Sequence, residues 1–386
     1  ARLSALPDAV PGRAEALQDA HAALSLVQAR LAAPIAAYKA AVAARDADPV
    51  RFETDPMCQY ARGDAEASPQ ARLRLFRRVL QLDPRHKPAQ LLFAIETEMR
   101  WRQDTALDAD AAERIVLPQY ERLLDLDGGA TAGHANAGYV RWLLAGADER
   151  QLGWAIDLFE EGLAAHEIEP ASSAAEMHLG LGRALAEKGR LAEAQGHLLE
   201  GLAALSGDPI RYENGFRPYL FEGATPALVA RFSGARRRVE RHARAAPSPL
   251  ADAVLAMALL DEAEALHALG EATGDPLAHR QAKRAWERAG ERSPDNILHA
   301  YLGLRHGFPS PEDGERLAAV LEVRAPHWGS AVLLRAERHA KAAYDRRYWA
   351  ASVRADGRVA HPSGYPSEHP DRRHRDRHHA DVFDYV

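Results

Sequence analysis

One recurrence constrains this chain more than any other: a bulky or apolar residue is followed eight positions later by Pro, Gly or another residue that ends a helix. Phe76 leads to Pro84 through RRVLQLD, Tyr120 to Gly128 through ERLLDLD, and Trp286 to Pro294 through ERAGERS. Weaker instances run from Ala41 to Pro49, Phe159 to Glu167, Leu198 to Ser206, Val239 to Pro247 and Ala318 to Pro326. The leading residues are separated by 35, 44, 39, 39, 41, 47 and 32 positions, a period that marks stacked helix hairpins. Positions i, i+3 and i+4 share one helix face, so Phe76 with Val79 and Leu80, and Tyr120 with Leu123 and Leu124, form apolar stripes aimed at a neighbour. Proline then stops the helix because it has no amide hydrogen to donate. One hairpin cannot bury such a stripe, whereas a stack of them can.

Composition agrees. Hydrophobic residues make up 47% of the 386 residues, yet aromatics only 7%; alanine and leucine dominate, and the residues that suit a pleated sheet are sparse. The expectation is an all-α fold: an α-solenoid of antiparallel hairpins over residues 1–350, in seven to eight degenerate units, followed by an irregular tail over 351–386. First helices are predicted near 89–102, 132–145, 174–188, 250–269 and 295–306. Turn-rich segments separate the units at 46–56, 126–133 and 206–226. The last carries Tyr212, Phe216, Tyr219 and Phe221, aromatic rings expected to dock onto the array.

The stretch HLGLGRALAEKGRLAEAQGHLLEGL, His178 to Leu202, resembles the tetratricopeptide repeat family through both of its helices. Leu181 and Gly182 stand at the close-packing pair of the first helix, Gly189 at the turn, Ala194 at the small contact position of the second helix and Leu198 at its larger one. WAIDLFEEGL, from Trp154 to Leu163, repeats the second helix with Ala155, Phe159 and Gly162, and LFRRVLQLDP, from Leu75 to Pro84, resembles its closing segment. The resemblance extends over residues 12–350. Most spacings exceed the family's usual repeat, which implies longer helices or inserted loops, and a related helical-repeat class stays open. The family's inner wall binds peptides with side chains from its first helices. At the corresponding positions this chain offers Arg100, Tyr139, Arg141, Arg183 and His299 as candidates for protein binding.

Catalytic signatures are missing from the sequence: no phosphate loop, no G-x-S-x-G elbow and no H-E-x-x-H pair, since Pro170 follows His166-Glu167 where a second histidine would stand. No cofactor is expected. Five of the 49 basic residues are lysines, so arginine predominates, a bacterial-like imbalance that genomic base composition explains more simply than arginine chemistry. The net charge of −6 argues against nucleic acid as a partner. Arg236, Arg237, Arg238, Arg241 and Arg244, with His242, put charge on more than one side of a helix, part of it to meet solvent and part acidic neighbours. The single cysteine, Cys58, excludes an internal disulfide. No apolar run is long enough to cross a bilayer. The chain is expected to be soluble, whether cytoplasmic or exported; it begins at Ala1 and no signal peptide is read in it.

From His361 onward the composition changes, with three prolines, alternating charges and five histidines. Such a segment cannot build its own core. His374 and His378 are spaced i, i+4, and with His369, His379 and Asp381 they could complete a first-row metal site. Phe383, Tyr385 and Val386 form an apolar end suited to docking. Three functions therefore stand: a protein-binding scaffold or adaptor within a larger assembly, which is favoured; a metal-binding protein using the tail histidines; and a regulatory subunit whose catalytic part lies on another chain.

Overall fold

The computed structural model describes residue 43 and residues 54–324, apart from 65, 105, 147, 169–173 and 206–223. Ala41, Pro49, Ser206, Pro326, the aromatics of the 206–223 loop, and the tail residues His369, His374, His378, His379, Asp381, Phe383, Tyr385 and Val386 lie outside the described residues. Among the described residues every regular element is helical. In chain order they are α1 (Pro56–Asp64), α2 (Pro69–Leu82), α3 (Lys87–Asp104), α4 (Ala109–Ala111), a π-helical turn (Ala112–Val116), α5 (Leu117–Leu126), α6 (Thr131–Leu144) and α7 (Arg150–Ile168). They continue as α8 (Ala174–Glu187), α9 (Leu191–Leu205), α10 (Pro226–Ala245), α11 (Pro249–Thr273), α12 (Pro276–Arg292), α13 (Ile297–His306) and α14 (Pro311–Arg324).

The chain punctuates these helices with proline at their starts. Ser68, Thr225, Ser248 and Asp275 cap α2, α10, α11 and α12 with side-chain oxygens that accept from the backbone amides of Ala71, Leu228, Ala251 and Leu277, each cap followed at once by proline. Proline fits there because the first-turn amides have no partner inside the helix. At the other end, the three clear anchors lead to helices that stop two residues before the expected Pro84, Gly128 and Pro294. Gly274 and Gly307 close α11 and α13 with φ of 71° and 66°, left-handed backbone that glycine takes without a Cβ clash.

The described residues divide into two compact units between Glu96 and Thr97. In the first, Tyr60, Phe76, Val79 and Ala89 make the core, with Leu80, Leu92 and Phe93 against it. In the second, sequence neighbours pack as pairs: α6 with α7, α8 with α9, α10 with α11, α11 with α12, and α13 with α14. Tyr120, Phe159, Leu198, Val239 and Trp286 are all buried. In α14 the buried stripe is Leu317 and Leu321 rather than one led by Ala318, which is only half-buried; the leucines lie i, i+4 and carry more apolar surface.

The hairpin α8–α9 packs its small and large residues as its sequence implies. A Cβ on Gly182 would lie 2.8 Å from Leu198 Cγ and 3.1 Å from the Ala194 carbonyl, and Gly189 turns the chain at φ 79°. Phe159 of α7 fits the same logic twice: a Cβ on Gly138 of α6 would lie 2.7 Å from its ring, and one on Gly180 of α8 would collide with it. Beyond the pairs, α8 touches both α6 and α10, and α9 touches α11. α10, which reads in sequence as a second helix, thus lies beside the first helix α8.

Phe159→Ala should lower the unfolding free energy by about 3–5 kcal/mol, the usual cost of emptying a buried phenyl site. Urea unfolding followed by circular dichroism checks this, and a loss below about 1 kcal/mol would mean that the ring is not a packing anchor.

Candidate functional site

α8 is covered on nearly every side, with all but three of residues 174–187 buried, so its charged side chains are held by partners from three other helices. Arg183 donates from Nε and Nη2 to the two carboxylate oxygens of Asp261 on α11, at 2.8 and 2.9 Å, and from Nη1 to the Tyr139 hydroxyl of α6 at 3.0 Å. The Tyr139 hydroxyl in turn donates to the Glu176 carbonyl at 2.9 Å, and burial raises its pKa. One turn on, Glu187 accepts from both terminal nitrogens of Arg231 of α10, at 3.1 and 2.7 Å, and from Arg238 at 2.8 Å. Arg231 also donates to the Trp142 carbonyl at 2.9 Å, with its guanidinium 4.0 Å above the Trp142 ring. Charges withdrawn from water this far require fork-to-fork geometry and full hydrogen bonding.

Tyr139 and Arg183 are thus brought together, but inside the protein. His299 is internal too: its ring stacks on Trp286 with centroids 4.4 Å apart and planes 8° apart, and neither ring nitrogen has a hydrogen-bond partner. Burial first, and the Arg316 charge second, push its pKa down to about 4. It is a neutral core residue. Arg100 is exposed on α3, with Asp104 3.8 Å away. Of the basic cluster on α10, Arg236 pairs with Glu240 and Glu262, Arg238 with Glu187, and Arg244 with Glu240; Arg237 and Arg241 face solvent. The mixed fate expected of that cluster is what the helix displays.

Arg141 occupies the most accessible aromatic surface near any of the five. It forms an ion pair with Glu113 of the π-helical turn, donates to Gln151 at 3.1 Å, and holds its guanidinium 4.8 Å over the ring of Trp154. Trp154 is 45% exposed, which leaves a cation-capped indole facing solvent on α7. Sequence reading missed it because it used WAIDLFEEGL for its buried stripe; the signal was a tryptophan off that stripe, between Leu152 and Ala155. Among the described residues, one trio brings three metal-ligating groups together: His178, His197 and Glu200.

No family model matches the sequence, and no curated protein matches it either. Among solved structures it is similar to PilW, a widely conserved type IV pilus biogenesis factor, at 15% identity over 74% of this chain and 98% of that one, with a TM-score of 0.32. It is similar to Naa15/Naa10 bound to HypK-THB at 13% identity, over 79% of this chain and 63% of that one, with a TM-score of 0.23. Yeast Tom70 matches at 14% identity over 89% and 97%, with a TM-score of 0.19. The repeat architecture stands on the hairpins of this chain itself.

Arg183→Met should cost about 3–5 kcal/mol by leaving Asp261 buried and unpaired, while the double change Arg183→Met with Asp261→Leu should recover most of that loss. Denaturant melts of the three proteins check it; equal losses in the single and double variants would contradict the pairing.

Proposed function

We propose that this chain is a non-catalytic scaffold or adaptor that holds a protein partner on the exposed faces of its helix array, as a subunit of a larger assembly. The observation that carries the reading is the Arg141–Trp154 pair. Most of the arginines and aromatics around α8 are consumed by internal contacts, whereas this indole remains open under a guanidinium. Tryptophan and arginine are the side chains that most often dominate protein interfaces, because one large flat surface and one forked donor set lose little freedom on binding. Covering the open indole removes apolar surface from water, and the Arg141 guanidinium, itself paired with Glu113, holds the ring in place for that contact. Stacked hairpins support the same reading, since a repeat array exposes long helix faces for recognition. No helix among the described residues is long and apolar enough to cross a membrane.

Co-purification from the native host with mass spectrometry should recover a defined protein partner in fixed stoichiometry. Trp154→Ala should then weaken that complex by about 2 kcal/mol, roughly 30-fold in Kd, without altering helicity. Unchanged affinity removes this face as the docking surface, and turnover of a substrate by the purified chain alone contradicts the non-catalytic reading.

A further inference from the structure

We propose that His178, His197 and Glu200 form a binding site for one divalent first-row transition ion of the zinc type, with one coordination position left open to solvent. The site is independent of the scaffold reading and of the tail histidines. His178 sits in the first turns of α8; His197 and Glu200 lie i, i+3 on α9 and so share one face. The hairpin brings the three donors to a point: the two Nδ1 atoms are 2.9 Å apart, and Glu200 Oε2 lies 3.1 Å from that of His178 and 3.8 Å from that of His197. These edges average about 3.3 Å, which is the edge of a tetrahedron whose ligands stand about 2.0–2.1 Å from zinc.

The spacing is set by backbone rather than by chance side-chain contact. Next to Glu200, a Cβ on Gly201 would lie 2.7 Å from Leu179 Cγ and 3.1 Å from the Leu179 amide nitrogen, so the two helices touch at the site itself. The rings explain why an ion suits it. With centroids 5.2 Å apart and planes 26° apart, the Nδ1 atoms point at one another. That arrangement is satisfied by one proton between them, with one nitrogen donating and the other accepting. Moving that hydrogen to Nε2, so that both rings carry it there, turns both Nδ1 lone pairs toward the same spot as the carboxylate. Two imidazoles and a carboxylate form the donor set that zinc and its neighbours prefer. The side chains of His178, His197 and Glu200 are 20%, 29% and 62% exposed, so an ion can enter from solvent. Three protein ligands leave a fourth position for water or for a donor group of a bound partner.

The test is titration of the chelator-treated chain of residues 1–386 with Zn2+ by calorimetry and with Co2+ by absorption. The protein used carries asparagine at His361, His369, His374, His378 and His379, so that the tail has no histidine to supply as a ligand. One ion per chain, with the visible bands of tetrahedral cobalt, is the expected result. In that background His197→Ala should weaken binding at least about tenfold, and Glu200→Gln, which keeps the side-chain shape, should weaken it and shift the cobalt spectrum, both with unchanged helicity. No binding in the tail-substituted protein, or binding undiminished by His197→Ala and Glu200→Gln, would overturn the proposal and leave the trio as a hydrogen-bonded cluster.

Discussion

A phenyl ring seated between two glycines on two different helices governs the spacing of this protein. Phe159 meets Gly138 on its own hairpin partner and Gly180 on the first helix of the next hairpin. The same ring therefore closes one repeat and opens the following one. Trp286 against Gly303, Leu198 against Gly182 and Phe76 against Gly63 are variations on this contact, each a large side chain entering where no Cβ stands. Dispersion contacts fade within a fraction of an ångström, so such a fit fixes the separation of the helices as well as stabilising them. Because every hairpin completes the burial of its neighbour, folding is a property of adjacent pairs rather than of isolated units.

Around α8, charge joins shape in setting the register. α10 lies beside α8 and α11 beside α9, and there Arg231 forks onto Glu187 while Arg183 forks onto Asp261. Apolar faces tolerate sliding, but a bidentate pair out of water does not, because a displaced partner leaves a bare charge. α8 thus acts as a keyed core helix, reading its neighbours through Tyr139, Asp261 and Arg231.

Helix positions were legible because anchor and stop are local signals. First helices expected near 132–145, 174–188 and 295–306 run over Thr131–Leu144, Ala174–Glu187 and Ile297–His306, and Gly182, Gly189 and Ala194 do what their resemblance implies. Side-chain fates were less legible. Tyr139, Arg183 and His299 read as surface residues of a first helix, yet all three are buried, since periodicity cannot tell a half-covered helix from one enclosed on all sides. An arginine in such a helix looks exposed until its carboxylate is found far along the chain, as Asp261 is for Arg183. His178 and His197 lie within the best-matching repeat, but only the register between its two helices brings their rings together. Trp154 is hard to read for the opposite reason: it lies off the apolar stripe that its segment displays.

Replacing Gly180 by alanine tests the governing contact most directly, because helix propensity and packing predict opposite signs. In an ordinary helix alanine is more stable than glycine by roughly 0.5–1 kcal/mol. A ring seated against the glycine should reverse that, so that Gly180→Ala destabilises the protein by about 1–3 kcal/mol in denaturant unfolding. A variant as stable as the parent, or more so, would show that Phe159 does not hold the hairpins at their spacing.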